Sequence, residues 1–353
     1  MNVTVAVEES SEAIDRQWDE LCERTDAPPF LRPGWFACWI DSFGSGRSRI
    51  LTARDGEALV GALPLQERGR VVGSPSNWHS PEFGAVATDD AAREALVAKL
   101  FSLQARRYTV GFVDSGDPLI AAWHTGATST GYKTITRVLE SSPYVDASKP
   151  WDAYEASLAK KLRAELRRRR KRLEEQGTVR LVVSTGEDSL EDELAEGFRI
   201  EEAAWKGSRG TAITSDAATE TFYRNVSKWG AGRGWLRLAF LRLDEKNLAF
   251  DLCFEANGVH YLLKTGYEPA FSKLAPGMLM RYEMLQRAFT KGLRSYEFLG
   301  SNNPWKMQWT QAVRDRLLLQ AFAPSLGGRL DWAAWAHGRP LAKKIANTVR
   351  RKR

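Results

Sequence analysis

The sequence has little cysteine and little histidine: 353 residues hold three Cys and four His. Cys22, Cys38 and Cys253 are scattered, and neither they nor His79, His124, His260 and His337 fall at metal-ligand spacing. The expectation is no disulfide and no bound metal. Long hydrophobic runs are missing too. No stretch approaches the roughly 20 apolar residues that cross a bilayer, and the opening NVTVAVEES has neither the basic start nor the apolar stretch of a secretion signal. The default expectation is a cytoplasmic protein. An even spread of charge is the third absence. Of a net +7, residues 160–172 carry +8 and residues 331–353 carry +6, which leaves −7 for the remainder. Two basic segments on a mildly acidic chain argue against a nucleic-acid surface spread over the fold.

What is present is an ordinary folding composition, 43% hydrophobic and 10% aromatic. At this length two domains are expected, because a single core stops growing beyond about 250–300 residues. Alternation and turn residues predict a strand over 2–7, a helix over 11–23, a short helix around Trp35–Ile40, and a hairpin about Asp55-Gly56. A helix over 91–104, a strand over 108–113, a helix over 118–129 and a strand over 133–139 complete a first domain, 1–149. The second, 150–326, opens with one long basic helix over 151–176 whose stripe Leu158, Leu162, Leu166 and Leu173 docks on the core. A strand over 179–184, helices over 189–205 and 216–229, and a hairpin over 235–255 follow. Residues 316–322 read as a closing strand and 327–353 as a basic tail. The two hairpins sit at matching places in the two halves, a pattern consistent with duplication.

The rest is organised around GVHYLLKTGYEPAFSKLAPGMLMRYEMLQRAFTKGLRSYEFLGSNNPWKMQW, residues 258–309. Val259–Lys264 reads as a buried strand, ended by a bulge or bend at Thr265, Gly266 and Tyr267. Pro276 and Gly277 then open a helix whose face is Met278, Tyr282, Leu285 and Phe289, and SYEFLG reads as a second strand. At such a junction, unpaired backbone N–H groups and the helix dipole form an anion site, with Lys273 beside it as a cation. A strand end there presents backbone groups to an amide-rich arm. Coenzyme A, a pyrophosphate joined to a pantetheine, has that anatomy.

At these residues the chain resembles the GNAT superfamily of acyltransferases, in particular its tandem-domain CelD-type (BioF-like) branch and, more distantly, the FemABX peptidyltransferases. GYEPAFSKLAPGMLM and PWKMQWT carry the resemblance through Tyr267, Pro276, Gly277, Lys306 and Trp309, over about residues 150–322. The usual phosphate loop of the superfamily is kept only in part, as FSKLAPGM. The resemblance implies an α/β (α+β mixed-sheet) fold of two GNAT-like domains, each a mostly antiparallel twisted sheet flanked by helices, with the first domain degenerate. It implies N-acyl transfer from acetyl-CoA or another acyl-CoA, without metal, to a small-molecule or peptide amine. The alternatives left open are aminoacyl transfer from tRNA and a non-catalytic module that binds a carrier protein; an acyl carrier protein is also a possible partner.

For the carrier the expected contacts are Lys264, Thr265, Gly266, Lys273, Ala275, Pro276, Gly277, Met278 and Leu279. The acceptor is expected near Trp205, Lys206, Lys306 and Trp309. Direct transfer needs an aligned neutral amine, a donor to the developing oxyanion and a proton for the leaving thiolate. Asp251, inside LAFDLCF, and Glu201, on the stripe of Leu194, Phe198 and Trp205, are carboxylates in apolar surroundings and thus candidate bases. A buried ion pair, with Lys264 or an arginine, is the other reading of Asp251. Tyr267 is the candidate donor to the thiolate, or else packs.

Overall fold

A computed structural model describes residues 3–187, 189–204 and 212–338. The chain divides into two compact units. One holds the described residues up to Ile40, then Gly44–Leu139 and those from Asp315 onward; the other holds Asp41–Phe43 and the described residues of Glu140–Arg314. The expected boundary at 149 therefore moves to 139/140. The expected closing strand leaves the second domain altogether.

The first unit begins with β1 (Val3–Glu8), α1 (Asp15–Arg24), α2 (Pro33–Phe43, without its last three residues), β2 (Arg47–Asp55) and β3 (Ala58–Arg68). The β2–β3 hairpin turns at Gly56, whose φ of 60° is the conformation that glycine takes without cost. β4 (Val71–Gly73), β5 (Val86–Ala87), α3 (Asp90–Ser102), β6 (Arg107–Asp114) and α4 (Leu119–Ser129) follow. Asp89 caps α3 by accepting from the Ala92 N–H at 2.8 Å. α3 and α4 pack Leu96, Leu100, Phe101 and Trp123 into the core of this unit.

β7 (Lys133–Asp146) runs on past the division between the units. The basic stretch that follows is two helices, α5 (Trp151–Ser157) and α6 (Lys160–Glu174), where the sequence predicts one. The break at Leu158 and Ala159 is extended backbone. It lets two different faces reach the same core, the aromatic Trp151 and Tyr154 of α5 and the leucine stripe of α6.

β8 (Val179–Ser184), α7 (Leu190–Ala203), α8 (Ala217–Gly232), β9 (Leu236–Leu243), β10 (Lys246–Ala256), β11 (Val259–Tyr267), α9 (Pro276–Thr290) and β12 (Ser295–Glu297) build the second unit. Its sheet runs β8-β9-β10-β11-β12 and then the end of β7. All pairings are antiparallel except β11 with β12. Asp216 caps α8 through the Thr219 N–H, at 2.9 Å.

β13 (Val313–Phe322) pairs with β6 through Arg316↔Asp114 to Phe322↔Arg107, which is why residues 315–322 belong to the first unit. α10 (Leu326–Ala333) and a π-helical turn, Ala334–Gly338, end the described chain, and the basic residues from Arg339 onward lie outside the described residues. No described helix is long and apolar enough to cross a membrane.

Candidate functional site

β11 is longer than the sequence predicts. It pairs with β10 all the way to Ala249↔Tyr267, and its bulge falls at Leu263, between Leu252↔Lys264 and Cys253↔Leu262, not at Thr265–Tyr267. With β12 it pairs for only three residues, Val259↔Ser295 to Tyr261↔Glu297. There β12 ends, at Glu297, while β11 runs on for six residues past the pairing, and we call the place beside this overhang the wedge.

The helix that starts beside this wedge begins where the sequence places it. Ala275 is left-handed at φ 52°, a conformation costly for a residue with a Cβ, and it sets Pro276 as the first helical residue. Met278 and Leu279 donate their N–H groups to the Ala275 carbonyl, at 3.0 and 3.2 Å. Among the described residues the Gly277 N–H has no acceptor. It is therefore the free donor of the first turn, at the positive end of the α9 dipole. Lys273, one turn earlier, is exposed. Leu279 is buried at 2% and Met278 packs against the core, so these two contribute backbone direction rather than side-chain contacts.

Gly277 is glycine for a reason internal to the chain. A Cβ there would lie 3.3 Å from Cδ1 of Tyr267, so the ring of Tyr267 packs beside the helix start. A second glycine fixes the other side of β11. A Cβ on Gly266 would lie 2.6 Å from the Cα of Glu201 and 3.1 Å from the Ile200 carbonyl oxygen, so α7 rests directly on the strand.

Neighbouring residues on a strand face opposite sides, and here they divide the two candidate bases. Gly266 and its partner Phe250 face α7, whose Gly197 lies against the Phe250 ring. Thr265 and its partner Asp251 face α9. Glu201 and Asp251 are thus on opposite sides of the sheet and do not form one catalytic group.

On the α9 side, Asp251 is completely buried and its Oδ1 accepts from Arg281 Nη2 at 2.9 Å. Arg281 also donates to the Tyr296 hydroxyl and, at 3.4 Å, to Thr265 Oγ1. One guanidinium, 1% exposed, ties β10, β11 and β12 together beside the wedge. Burial alone would lower its pKa; the Asp251 carboxylate more than offsets this and holds it charged. Of the two readings of Asp251, the geometry has the ion pair, with Arg281 rather than Lys264 as partner. Sequence reasoning missed Arg281. The available signal was a lone cation in the apolar run MLMRYEML, matching a lone anion in LAFDLCF.

On the α7 side, Glu201 is fully buried and its Oε2 accepts the Ile213 N–H at 3.1 Å. The fully buried Tyr223 of α8 stands near it. Burial, and then the Glu201 charge, raise the Tyr223 pKa. Lys264 Nζ lies 4.7 Å from the centre of the Tyr223 ring. Glu201, Tyr223 and Lys264 therefore gather around Gly266.

The expected acceptor residues are placed differently. Trp205 and Lys206 lie outside the described residues. Trp309 is 4% exposed in the hydrophobic core, and Tyr154 donates its hydroxyl proton to the Trp309 carbonyl at 2.9 Å. Lys306 is buried, and its ammonium donates to the carbonyl of Leu299. Leu299 and Gly300, just past β12, are left-handed at φ 49° and 60°. Lys306 thus anchors the turn at the end of β12, and neither it nor Trp309 is an open acceptor contact.

A further buried cluster lies on β10 and β11. Glu255 accepts from Arg237 at 2.9 Å, from Arg287, and faces His260 Nδ1 at 3.2 Å. Burial alone would raise the Glu255 pKa, but the bonds from His260 and Arg287 hold it well below the usual carboxylate range; burial pushes His260 down against the pull of Glu255. Both shifts act in one direction. The unfolded chain takes up a proton on the histidine below about pH 6.5 and on the carboxylate below about pH 4.3, before the folded chain does. Stability of the second unit is expected to fall continuously from about pH 6.5 downward. Urea midpoints across that range measure it, and Glu255→Gln should flatten the limb below about pH 4.3.

Residues 160–307 match the family described as acetyltransferase (GNAT) domain. Among solved structures, FemX superposes with a TM-score of 0.62 at 12% identity, over 90% of this chain and 97% of that one. L-PGS from Bacillus licheniformis gives 0.59 at 14% identity, over 90% and 95%. A tandem GNAT protein from the clavulanic acid biosynthesis pathway gives 0.50 at 14%, over 92% and 100%. At these identities the likeness is one of fold. Among proteins with curated descriptions none matches the sequence. The end of the β11–β12 pairing and the start of α9 beside it both fall within residues 160–307, the stretch that matches the acetyltransferase (GNAT) domain.

Proposed function

We propose that the chain moves an acyl group, acetyl or longer, from acyl-CoA to an amine by direct transfer within a ternary complex. The observation that carries this reading is the overhang of β11 past β12 beside the N-terminus of α9. In it, the pantetheine amides hydrogen-bond to the backbone of β11 around Lys264, Thr265 and Gly266, past the end of its pairing with β12. The phosphates sit at Ala275, Pro276 and Gly277, with the Gly277 N–H and Lys273 as donors. The thioester carbonyl accepts from a β11 backbone N–H, which stabilises the oxyanion as the amine attacks. Tyr267, packed on the helix start, shapes this end of the wedge.

Glu201 is the proposed base. It stands on the acceptor side of β11, at the foot of the segment that contains Trp205 and Lys206, whereas Asp251 is engaged with Arg281 on the far side and acts by holding the strands. Glu201→Gln is expected to lower kcat by about 10²–10⁴ while acyl-CoA still binds. Steady-state kinetics with a panel of amines, beside calorimetric titration with acetyl-CoA and its desulfo analogue, measures both. No heat of binding with either ligand would remove the proposal; binding with an unchanged kcat in the variant would remove only the base.

A further inference from the structure

α6 lies along the start of α9. Arg169 donates to the Lys273 carbonyl, Arg170 pairs with Glu283 on α9, and Leu162, Leu166 and Leu173 are buried beneath. The opposite face is cationic and exposed. Lys160, Lys161, Arg167, Lys171 and Arg172 face solvent and have no carboxylate partner among the described residues, while the exposed Arg168 pairs with Glu165. From Lys160 to Arg172 this strip runs about 18 Å at 1.5 Å per residue.

We propose that this face of α6 docks a carrier protein that bears the acyl group on a phosphopantetheine arm. The inference rests on the reading above, since the arm is the one shared with coenzyme A. With the arm along β11, its phosphate lies at Ala275–Gly277. In a carrier protein that phosphate is a diester to a serine, so the carrier's own surface begins there, next to α6. The strip is matched to that surface in sign and extent. Free coenzyme A needs cations at one end of the strip only, whereas five unpartnered ones along more than three turns suit an extended anion such as an acidic helix. A nucleic acid is also an extended anion. Against it stand Glu165 and Glu174, set among the cations of the same helix, and the net −7 of the chain outside its two basic segments.

The test uses the full chain and four probes: acetyl-CoA, free acetyl-phosphopantetheine, a fatty-acid acyl carrier protein carrying the same acetylated arm, and bulk tRNA. The carrier-bound arm is expected to bind at least about 10-fold more tightly than the free arm at low ionic strength, with the advantage shrinking as salt is added. The variant Lys161→Glu, Arg167→Glu, Lys171→Glu should lose this advantage and keep its affinity for acetyl-CoA. Equal affinity for free and carried arms overturns the proposal, as does an advantage that survives in the variant. Tight tRNA binding that the variant abolishes, with no carrier advantage, overturns it in favour of a nucleic acid. If the carrier binds through α6 while neither acetyl-CoA nor the free arm binds, docking stands and the reading of the wedge falls.

Discussion

Replacing Arg281 with methionine is expected to cost the second unit about 3–5 kcal/mol, the loss typical when one partner of a buried ion pair is removed and the other stays behind. Asp251 has no exposure with which to recover water, and its Oδ2 already lacks a hydrogen-bond partner among the described residues. The substitution also deprives Tyr296 and Thr265 of their donor. The pair need not be a net source of stability. The double variant Asp251→Leu, Arg281→Met keeps the volume, removes both charges and is expected to recover most of the loss. What it should not recover is function, because the guanidinium reaches β12 at Tyr296 and β11 at Thr265, on both sides of the place where the β11–β12 pairing ends. Urea unfolding followed by tryptophan fluorescence gives the first quantity and acetyl-CoA titration the second. If the single variant lost less than about 1 kcal/mol, as exposed pairs do, the cluster would be wet and could not hold the wedge. A double variant that bound acetyl-CoA like the wild type would show that the wedge holds without it.

Most of the second unit was legible in the sequence because its punctuation is local. Pro276 suits a first helical turn, Asp216 is a capping residue, and the stretches over 235–255 alternate as a hairpin does; each ends up where those rules put it. The errors lie where distance in sequence hides the partner. The break at Leu158 has no proline or glycine to mark it; it exists because α5 and α6 present different faces to α9. β13 looks like the last strand of its neighbours, yet its partner β6 is some 200 positions earlier, with Arg316 bonded to Asp114. The site shows the same limit. Asp251 and Glu201 are equally conspicuous as carboxylates in apolar stretches, and only the strand parity of Gly266 and Thr265 separates them. Lys306 and Trp309 stand out by motif, but their destinations, a carbonyl and a core, are set by the turn at Leu299.

Gly266→Ala is expected to be the most damaging single-methyl change in the chain for activity. The added carbon would sit 2.6 Å from the Glu201 Cα and 3.0 Å from its nitrogen, and both belong to helix backbone, which cannot rotate away as a side chain end can. Overpacking typically costs about 1–3 kcal/mol, and a clash with backbone belongs at the upper end. The relief available is for α7 to lift from β11, but Gly197 seats the same helix on the Phe250 ring four residues earlier on that face, so the whole element must tilt. A tilt moves Glu201 away from the strand edge where the acyl group is proposed to lie. Since misplacement by about 1 Å can cost 10²-fold in rate, kcat is expected to fall by about that factor or more even at temperatures where the variant stays folded. Gly232→Ala, at the end of α8 with nothing within 4 Å of the added carbon, is the matched control and should be neutral or slightly stabilising. Thermal unfolding and single-turnover acyl transfer on the two variants measure the contrast. A Gly266→Ala protein with wild-type turnover would mean that α7 and Glu201 take no part in the reaction, and the base would have to be sought among the acceptor's own groups.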